Sequence, residues 1–266
     1  MQHFCMYRSF KKKMEYALIT GATGGIGYAL AECFAKDGKA LLLVSSNMEH
    51  LKKAEEKLLA NYNVPIEVYE KNLAGERAAE ELFLQLKERK IRITYLVNNA
   101  GFGLLGKTEE IAMDKEEAML ILNMMTPVKL VKLFLPEMKR AGCGYILNVA
   151  SVGAFQPGPY NSSYYATKAF LYHYSRGVRY EAKKAGVSIS TLCPGTTGTD
   201  FFKKAGTKTP KGAMTPEQVA VYAYRKMKKK KDVIIPGFWN RMAQFVPSGI
   251  KLRVIAVIKE RQAKCK

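Results

Sequence analysis

The strongest constraint on the fold of this 266-residue chain is a regular alternation between short apolar runs and amphipathic helical stretches. The apolar runs have the length of strands, and the stretches between them have helical spacing. Because parallel strands are joined by helical crossovers, this order predicts one doubly wound α/β domain with helices on both faces of a parallel sheet. The seven predicted strands are YALIT (16–20), ALLLVS (40–45), IEVYEK (66–71), ITYLVN (93–98), GYILNVA (144–150), VSISTLC (187–193) and DVIIP (232–236).

The predicted domain occupies most of the chain. Residues 15–236 carry all seven strands, residues 1–14 form an N-terminal extension, and residues 237–266 form a basic, apolar C-terminal segment. Residues 197–215 are basic and rich in Gly, Thr and Pro, which is typical of a loop that closes over a site. The chain length suits one large domain and leaves little room for a second.

The charge and cysteine content narrow the classes of ligand and compartment. Lys and Arg exceed Asp and Glu by 43 − 23 = +20, which favours anionic ligands but equally suits a solvated basic surface. The five cysteines are dispersed, which argues against a zinc ribbon or a redox pair and predicts no metal site. The N-terminus has no apolar run of signal-peptide length, and no stretch approaches the roughly 18 uncharged apolar residues of a membrane span. We therefore expect a cytoplasmic protein with free thiols.

A glycine-rich turn, TGATGGIG (20–27), follows the first predicted strand and precedes a helical stretch. A dinucleotide site requires this order of strand, turn and helix. Glycines let the backbone approach a pyrophosphate, and the helix N-terminus offers free N–H groups and partial positive charge. An ordinary strand-to-helix turn is the alternative. The candidate cofactor-binding residues here are Gly21, Thr23, Gly25, Ile26 and Gly27.

The end of the second strand bears on the choice of cofactor. It carries Ser45, Ser46 and Asn47, with no carboxylate. An acidic residue there would bond the ribose 2′-OH and repel a 2′-phosphate, whereas hydroxyl and amide donors can hold the phosphate. We therefore favour NADP(H) over NAD(H), with Ser46 and Asn47 as candidate contacts.

Three polar residues form a candidate catalytic set. Tyr164 and Lys168 lie four residues apart on one predicted helix face. An ammonium near a phenol favours the phenolate, so Lys168 is expected to lower the pKa of Tyr164 towards a useful value for acid–base catalysis. Ser151 ends the fifth strand, where a hydroxyl can donate to a substrate carbonyl. Alone, the Tyr and Lys spacing is more often a packing pattern.

Together these motifs resemble the short-chain dehydrogenase/reductase family, which has a Rossmann fold. The spacing TGxxxGxG (20–27), the NNAG turn (98–101) and the set Ser151, Tyr164 and Lys168 come in the family's order. The glycine run also fits the GxxGxxG of the extended, epimerase-type branch. The NNAG turn and the modest length favour the short single-domain branch.

The resemblance implies roles for further residues. Asn123 matches the family's catalytic Asn, which holds a water that links the lysine to solvent; a helix kink or a satisfied core amide is the alternative. Asn72 and Leu73 match the adenine-binding position, where Asn72 departs from the usual Asp. The segment 194–199 matches the one that holds the nicotinamide end. The cofactor contacts implied in these segments and in the catalytic pair are Asn72, Leu73, Asn99, Ala100, Gly101, Tyr164, Lys168, Pro194, Gly195, Thr197 and Thr199.

The predicted function is NAD(P)(H)-dependent transfer of hydride to or from a carbonyl or secondary alcohol, with Tyr164 as acid/base. We expect an apolar small-molecule substrate, such as a 3-oxoacyl thioester, a steroid or another ketone, and a homodimer or homotetramer. One alternative is a non-catalytic cofactor sensor that docks on a membrane or nucleic acid, but such a protein need not keep Ser151, Tyr164 and Lys168. No nucleic-acid-binding motif is evident.

The C-terminal segment 237–266 interleaves aromatic and apolar residues with Lys and Arg, and four lysines precede it at 228–231. Such a segment could lie on an anionic membrane surface. We favour instead a helix that closes the substrate pocket or contacts another subunit.

Overall fold

The computed structural model describes residues 14–199 and 212–264 of the chain. Residues 200–211, which make up most of the predicted lid, and most of the N-terminal extension lie outside the described residues. The strands are β1 (Tyr16–Thr20), β2 (Ala40–Ser45), β3 (Ile66–Glu70), β4 (Ile93–Asn98), β5 (Gly144–Val149), β6 (Val187–Leu192) and β7 (Val233–Ile234).

Helices alternate with these strands as the sequence predicts. The helix between β4 and β5 is continuous from Met113 to Arg140 but contains a π-helical turn at Ile121–Met125. The helices are α1 (Gly25–Lys36), α2 (Met48–Leu59), α3 (Ala78–Glu88), α4 (Met113–Leu120), α5 (Thr126–Arg140), α6 (Ser162–Lys183), α7 (Pro216–Lys228), α8 (Phe238–Met242) and α9 (Ser248–Lys264).

The seven strands form one sheet in the order β3-β2-β1-β4-β5-β6-β7, and all neighbouring pairs are parallel. The predicted doubly wound parallel sheet is therefore confirmed. From β1 the chain adds strands towards one edge of the sheet, as β2 and β3, and then returns to add β4 to β7 towards the other edge. A crevice opens at the carboxyl ends of β1 and β4, where this order reverses. The strand predicted at 232–236 is shorter than expected: β7 has two residues, which pair with Thr191 and Leu192 of β6.

Two apolar layers cover the sheet, since side chains alternate between faces along a strand. Leu41 and Leu43 of β2 pack in the layer formed with α1, α2 and α7. Leu42 and Val44 pack in the layer formed with α3, α5 and α6. Burial on both faces explains why the strands appear in the sequence as continuous apolar runs.

The long helix Met113–Arg140 is apolar enough, by length and composition, to cross a membrane. This differs from the expectation that no stretch of the sequence approaches a membrane span. Leu130, Phe134 and Met138 of this helix are buried against the sheet, which is the packing of a core helix.

Candidate active site

A cleft of about 670 Å³ lies at the carboxyl ends of the strands, where the strand order reverses. Its lining brings together the glycine turn, the ends of β2 and β3, the NNAG turn, the end of β5, the start of α6 and the segment after β6. The predicted residues in the lining are Gly21, Thr23, Gly25, Ile26, Ser46, Asn72, Leu73, Asn99, Ala100, Gly101, Ser151, Tyr164, Lys168, Pro194, Gly195, Thr197 and Thr199.

Three predicted residues do not line the cleft. Asn47 instead caps α2, where its side-chain oxygen accepts a 2.8 Å hydrogen bond from the backbone N–H of His50. Gly27 lies behind the turn, and Asn123 is buried beneath the loop that follows β4. Asn is a favoured N-cap residue, so the same side chain that suggested a phosphate contact in the sequence satisfies a helix terminus in the structure.

The glycine turn is shaped for close approach of backbone. Gly21 and Gly25 have φ of +65° and +54°, in the left-handed region that favours glycine. A Cβ on Gly27 would lie 2.2 Å from the carbonyl oxygen of Gly21, so only glycine lets α1 approach the turn this closely. Gly24, the N-cap of α1, has no side chain that could bond the N–H groups of the first helical turn, and this turn contains no acidic residue that would repel an anion. The turn therefore fits a dinucleotide pyrophosphate.

The NNAG turn anchors this cradle to the centre of the sheet. The Asn99 side-chain amide donates to the carbonyl oxygens of Thr20 and Gly21, both at 3.0 Å. The backbone N–H groups of Asn99 and Ala100 donate to the Thr20 hydroxyl, also at 3.0 Å. The Asn99 amide is thus committed to the protein, and its position on the cleft wall fixes β1 against β4.

The far end of the cleft, beyond β2 and β3, carries a histidine and a lysine that no sequence motif indicated. His50 and Lys71 line it together with Ser45 and Ser46. Lys71 also forms an ion pair with Glu81 at 3.0 Å. The register of β2 on β3 places Ser45 beside the residue before Lys71, a pairing that no local motif indicates.

The candidate catalytic residues Ser151, Tyr164 and Lys168 lie together at the other end of the cleft. The Lys168 ammonium donates to the carbonyl oxygen of Val149 at 3.0 Å and lies 5.6 Å from the centre of the Tyr164 ring. The Ser151 hydroxyl is hydrogen-bonded to the Tyr164 phenol. The Ser151 oxygen also accepts a 3.1 Å hydrogen bond from the N–H of Gly153.

Burial controls the ionisation of these groups. It raises the pKa of Tyr164, although the hydrogen bond with Ser151 acts in the opposite direction. It also lowers the pKa of Lys168 to about 8, while Cys193 nearby acts in the opposite direction. The expectation that Lys168 would lower the pKa of Tyr164 is wrong for this structure, because desolvation of the phenol outweighs a lysine directed at the Val149 carbonyl.

Asn123 lies within the π-helical turn and bonds the loop after β4. Its side-chain amide donates to the Phe102 carbonyl at 2.9 Å and to the Thr167 hydroxyl at 3.2 Å, and its oxygen accepts from the Phe102 N–H at 3.2 Å. A Cβ on Gly101 would lie 2.7 Å from the Asn123 oxygen and 3.4 Å from the Lys168 ammonium. Gly101 therefore allows Asn123 and Lys168 to lie close together beneath the cleft floor.

A chain of buried side chains sets the position of α6. The Asn98 amide donates to the Asn148 oxygen at 2.8 Å, and the Asn148 amide donates to the Ser175 hydroxyl at 2.8 Å. Ser175 in turn donates to the carbonyl oxygen of Leu171 at 2.5 Å. These contacts link β4 and β5 to the middle of the helix that carries Tyr164 and Lys168.

The segment after β6 closes the cleft near Tyr164. The Thr197 hydroxyl donates to the Gly195 carbonyl at 3.0 Å, and the backbone of 196–198 pairs with Met214. A Cβ on Gly25 would lie 2.8 Å from a Thr199 methyl group, so this segment packs against the glycine turn.

Lys259 of α9 also lines the cleft, and nothing in its local sequence indicates this. Among residues 14–199 and 212–264, no group of three His, Cys, Asp or Glu side chains could hold a metal ion.

Comparisons with known proteins agree with this geometry. A family model for short chain dehydrogenases matches residues 15–210. A 7beta-hydroxysteroid dehydrogenase from Mediterraneibacter gnavus is 28% identical over 230 residues, which cover 84% of this chain and 87% of the relative. A very-long-chain 3-oxoacyl-CoA reductase from Anas platyrhynchos is 32% identical over 185 residues, which cover 67% of this chain and 58% of the relative.

A solved structure supports the same assignment. The short-chain dehydrogenase from Sphingobium yanoikuyae, in complex with NADPH, matches with a TM-score of 0.81 and 28% identity over 86% of this chain and 92% of that chain. The residues matched by the family model include the glycine turn, the NNAG turn and the set Ser151, Tyr164 and Lys168. The chain therefore belongs to the short-chain dehydrogenase family and is an NAD(P)-dependent oxidoreductase of carbonyl and alcohol groups.

Proposed function

We propose that this enzyme uses NADP(H) in preference to NAD(H) and acts on an apolar ketone or the matching alcohol through Ser151, Tyr164 and Lys168. The observation that carries the proposal is the hydrogen bond between Ser151 and Tyr164, with the Lys168 ammonium 5.6 Å from the Tyr164 ring, at one end of a cleft whose other wall is a glycine cradle for a dinucleotide. The nicotinamide supplies or accepts hydride at the reacting carbon. The protein provides position and proton transfer.

The ionisation of the cluster suits proton donation to a carbonyl. The raised pKa keeps the Tyr164 phenol protonated at neutral pH, so a proton is available for the oxygen of a ketone. Ser151 donates a hydrogen bond to the same oxygen and holds it beside the phenol. Below a pH of about 8 the Lys168 ammonium is charged and stabilises the phenolate that remains. Asn123 bonds the backbone of Phe102 and so fixes the loop beside Lys168, and we propose that it also helps to hold a water between the lysine and solvent.

The preference for NADP(H) rests on the far end of the cleft. No carboxylate among the described residues lines this end of the cleft, where it would repel a 2′-phosphate, and Ser45 and Ser46 lie on the wall. His50 and Lys71 add donors that suit an anion. The relative from Sphingobium yanoikuyae, which binds NADPH, supports the same choice.

The proposed substrate class rests on the relatives and on the lining near Tyr164. The two relatives named above are a hydroxysteroid dehydrogenase and an oxoacyl-CoA reductase, whose substrates carry a large apolar body beside the reacting group. Phe102, Leu122, Val152 and Tyr165 give the cleft apolar surface. We therefore propose a steroid, a 3-oxoacyl thioester or another apolar ketone.

The test uses the purified chain with NADPH or NADH and a panel of steroid, oxoacyl and aryl ketones, each paired with its alcohol. We expect turnover of at least one apolar ketone, followed by NADPH absorbance, with a lower KM for NADPH than for NADH. A lower KM for NADH would overturn the cofactor preference. Turnover confined to small polar ketones would overturn the substrate class.

We further propose a cytoplasmic homodimer or homotetramer. Cys33, Cys143 and Cys193 are free thiols, as suits a reducing compartment. The side chains of Phe238, Trp239 and Phe245 in the C-terminal segment are exposed, and contact with a second copy would cover them. Light scattering on the protein as it elutes from a size-exclusion column measures its mass and so gives the number of subunits. A monomer that co-sediments with anionic vesicles would show instead that this surface meets lipid.

A further inference from the structure

Helix α9 turns one stripe of side chains inwards. Lys251, Ile255, Lys259 and Gln262 recur at helical spacing and are partly buried, whereas Val254, Val257 and Ile258 between them are exposed. A helix with this spacing presents one face to the protein body. Lys259 is the member of the stripe that lines the cleft, together with the glycine turn and Tyr164.

Among the described residues, three lysines line the cleft, and each has a different partner. Lys71 pairs with Glu81, and Lys168 donates to the Val149 carbonyl. Lys259 contacts the neutral oxygen of Gln262 at 3.1 Å. Within 14–199 and 212–264, no carboxylate forms an ion pair with Lys259. Within the described part of the chain, Lys259 is therefore a cation on the cleft wall that has no carboxylate partner.

A partly buried ammonium without a counter-ion is unfavourable, because it has lost part of its hydration without an opposite charge in return. Burial accordingly lowers the pKa of Lys259. An anion that enters the cleft restores the missing interaction, and it does so in a partly desolvated position where charge pairing is stronger than at the surface. Before an anion binds, the ammonium donates to the side-chain oxygen of Gln262.

We propose that Lys259 is an anion-binding residue of the cleft, which pairs with a phosphate or carboxylate on the molecule that binds beside Tyr164. This inference rests on the oxidoreductase function and adds a residue from the C-terminal segment to the specificity of the site. Two sources carry such a group: the phosphates of the cofactor, or an acidic group on the substrate itself. The apolar body proposed for the substrate is compatible with either source.

The experiment measures binding, so that it does not depend on turnover of a chosen substrate. NADPH is titrated against the protein by fluorescence, and an aryl oxo acid and its methyl ester are each titrated by calorimetry against the protein saturated with NADP⁺. The variants are Lys259→Met, which removes the charge, and Lys259→Arg, which keeps it. Arg253→Met is the matched control, because Arg253 is an exposed cation on the same helix.

If the anion belongs to the cofactor, Lys259→Met raises the Kd for NADPH about tenfold and leaves the ratio between acid and ester unchanged. If it belongs to the substrate, Lys259→Met raises the Kd for the oxo acid about tenfold, leaves that of the ester unchanged, and leaves NADPH binding intact. Lys259→Arg retains binding in either case.

The proposal is overturned if Lys259→Met changes neither constant, or changes them no more than Arg253→Met does. Failure of the proposed function would appear differently, as wild-type protein that binds NADPH but reduces no apolar ketone.

Discussion

The ammonium of Lys168 donates a 3.0 Å hydrogen bond to the carbonyl oxygen of Val149, the last residue of β5. This bond holds the lysine under the Tyr164 ring, within one helical turn of the phenol. The lysine is therefore fixed by the sheet and not by the tyrosine, so its influence on the phenol comes through charge.

Replacement of Tyr164 by Phe removes the proton donor while it keeps the ring. We expect kcat to fall by about 10²- to 10⁴-fold, which is the usual contribution of a positioned acid or base. The Kd for NADPH, measured by fluorescence, should change little. Tyr174→Phe is the matched control, because Tyr174 lies on the same helix and stacks on Phe170. A Tyr164→Phe enzyme with normal kcat would exclude the proposed proton donor.

The low pKa of Lys168 predicts the pH dependence of reduction. Below a pH of about 8 the lysine is charged and stabilises the phenolate that forms as the proton leaves; above it this support is lost. Since Tyr164 remains protonated through this range, kcat/KM for NADPH-dependent reduction should fall as pH rises above about 8. In Lys168→Arg the guanidinium stays charged, so the decline near pH 8 should disappear even if the rate is lower. An unchanged inflection in that variant would assign it to another group.

Asn123→Leu tests the π-helical turn. The substitution leaves the N–H and carbonyl of Phe102 without their partners, so we expect the free energy of unfolding to fall by about 1–3 kcal/mol in urea titrations. We also expect kcat to fall, because the loop beside Lys168 loses its support. Thr167→Val removes only one of the Asn123 contacts and should cost less stability. A folded Asn123→Leu enzyme with wild-type kcat would limit Asn123 to a structural role.

Gly27→Ala tests the cradle from behind the cleft. The added methyl group would meet the Gly21 carbonyl oxygen at 2.2 Å, so α1 must move away from the turn. We expect the Kd for NADPH to rise at least tenfold and the protein to be less stable. The control is Gly177→Ala in α6, where a Cβ meets nothing within 4 Å. That change should keep NADPH binding and stabilise the helix by up to about 1 kcal/mol.

Ser46→Asp tests the preference for NADP(H). A carboxylate at this wall would repel a 2′-phosphate, so the KM for NADPH should rise about tenfold or more while the KM for NADH stays the same or falls. Ser46→Asn has a similar size without the charge and should change the ratio little. Equal effects on both cofactors would place the 2′-position elsewhere.

Features that depend on local pattern were predictable from the sequence. The alternation of apolar runs predicted the sheet because burial on both faces demands it. The four-residue spacing of Tyr164 and Lys168 placed both on one helix face. Ser151 was predictable because parallel strands end on the same side of a sheet.

Features that depend on desolvation or on distant pairing were not predictable. The pKa of Tyr164 depends on the depth of the phenol, which the spacing to Lys168 does not reveal. Asn47 was ambiguous, because a helix cap and a phosphate contact use the same side chain. Lys71 reaches the cleft through strand register, and Lys259 reaches it through the path of the C-terminal segment.

Under the proposed mechanism, the buried contacts of Asn98, Asn148 and Ser175 help to set which phenol of an adjacent pair serves as the acid. A slip of one residue along α6 would rotate the helix by about 100° and bring Tyr165 to the position of Tyr164. The residue four positions after Tyr165 is Ala169, so the displaced pair would have no ammonium. A hydroxyl about 16 Å along the helix from the reacting group, at Ser175, thus helps to decide whether the enzyme has a working acid at all.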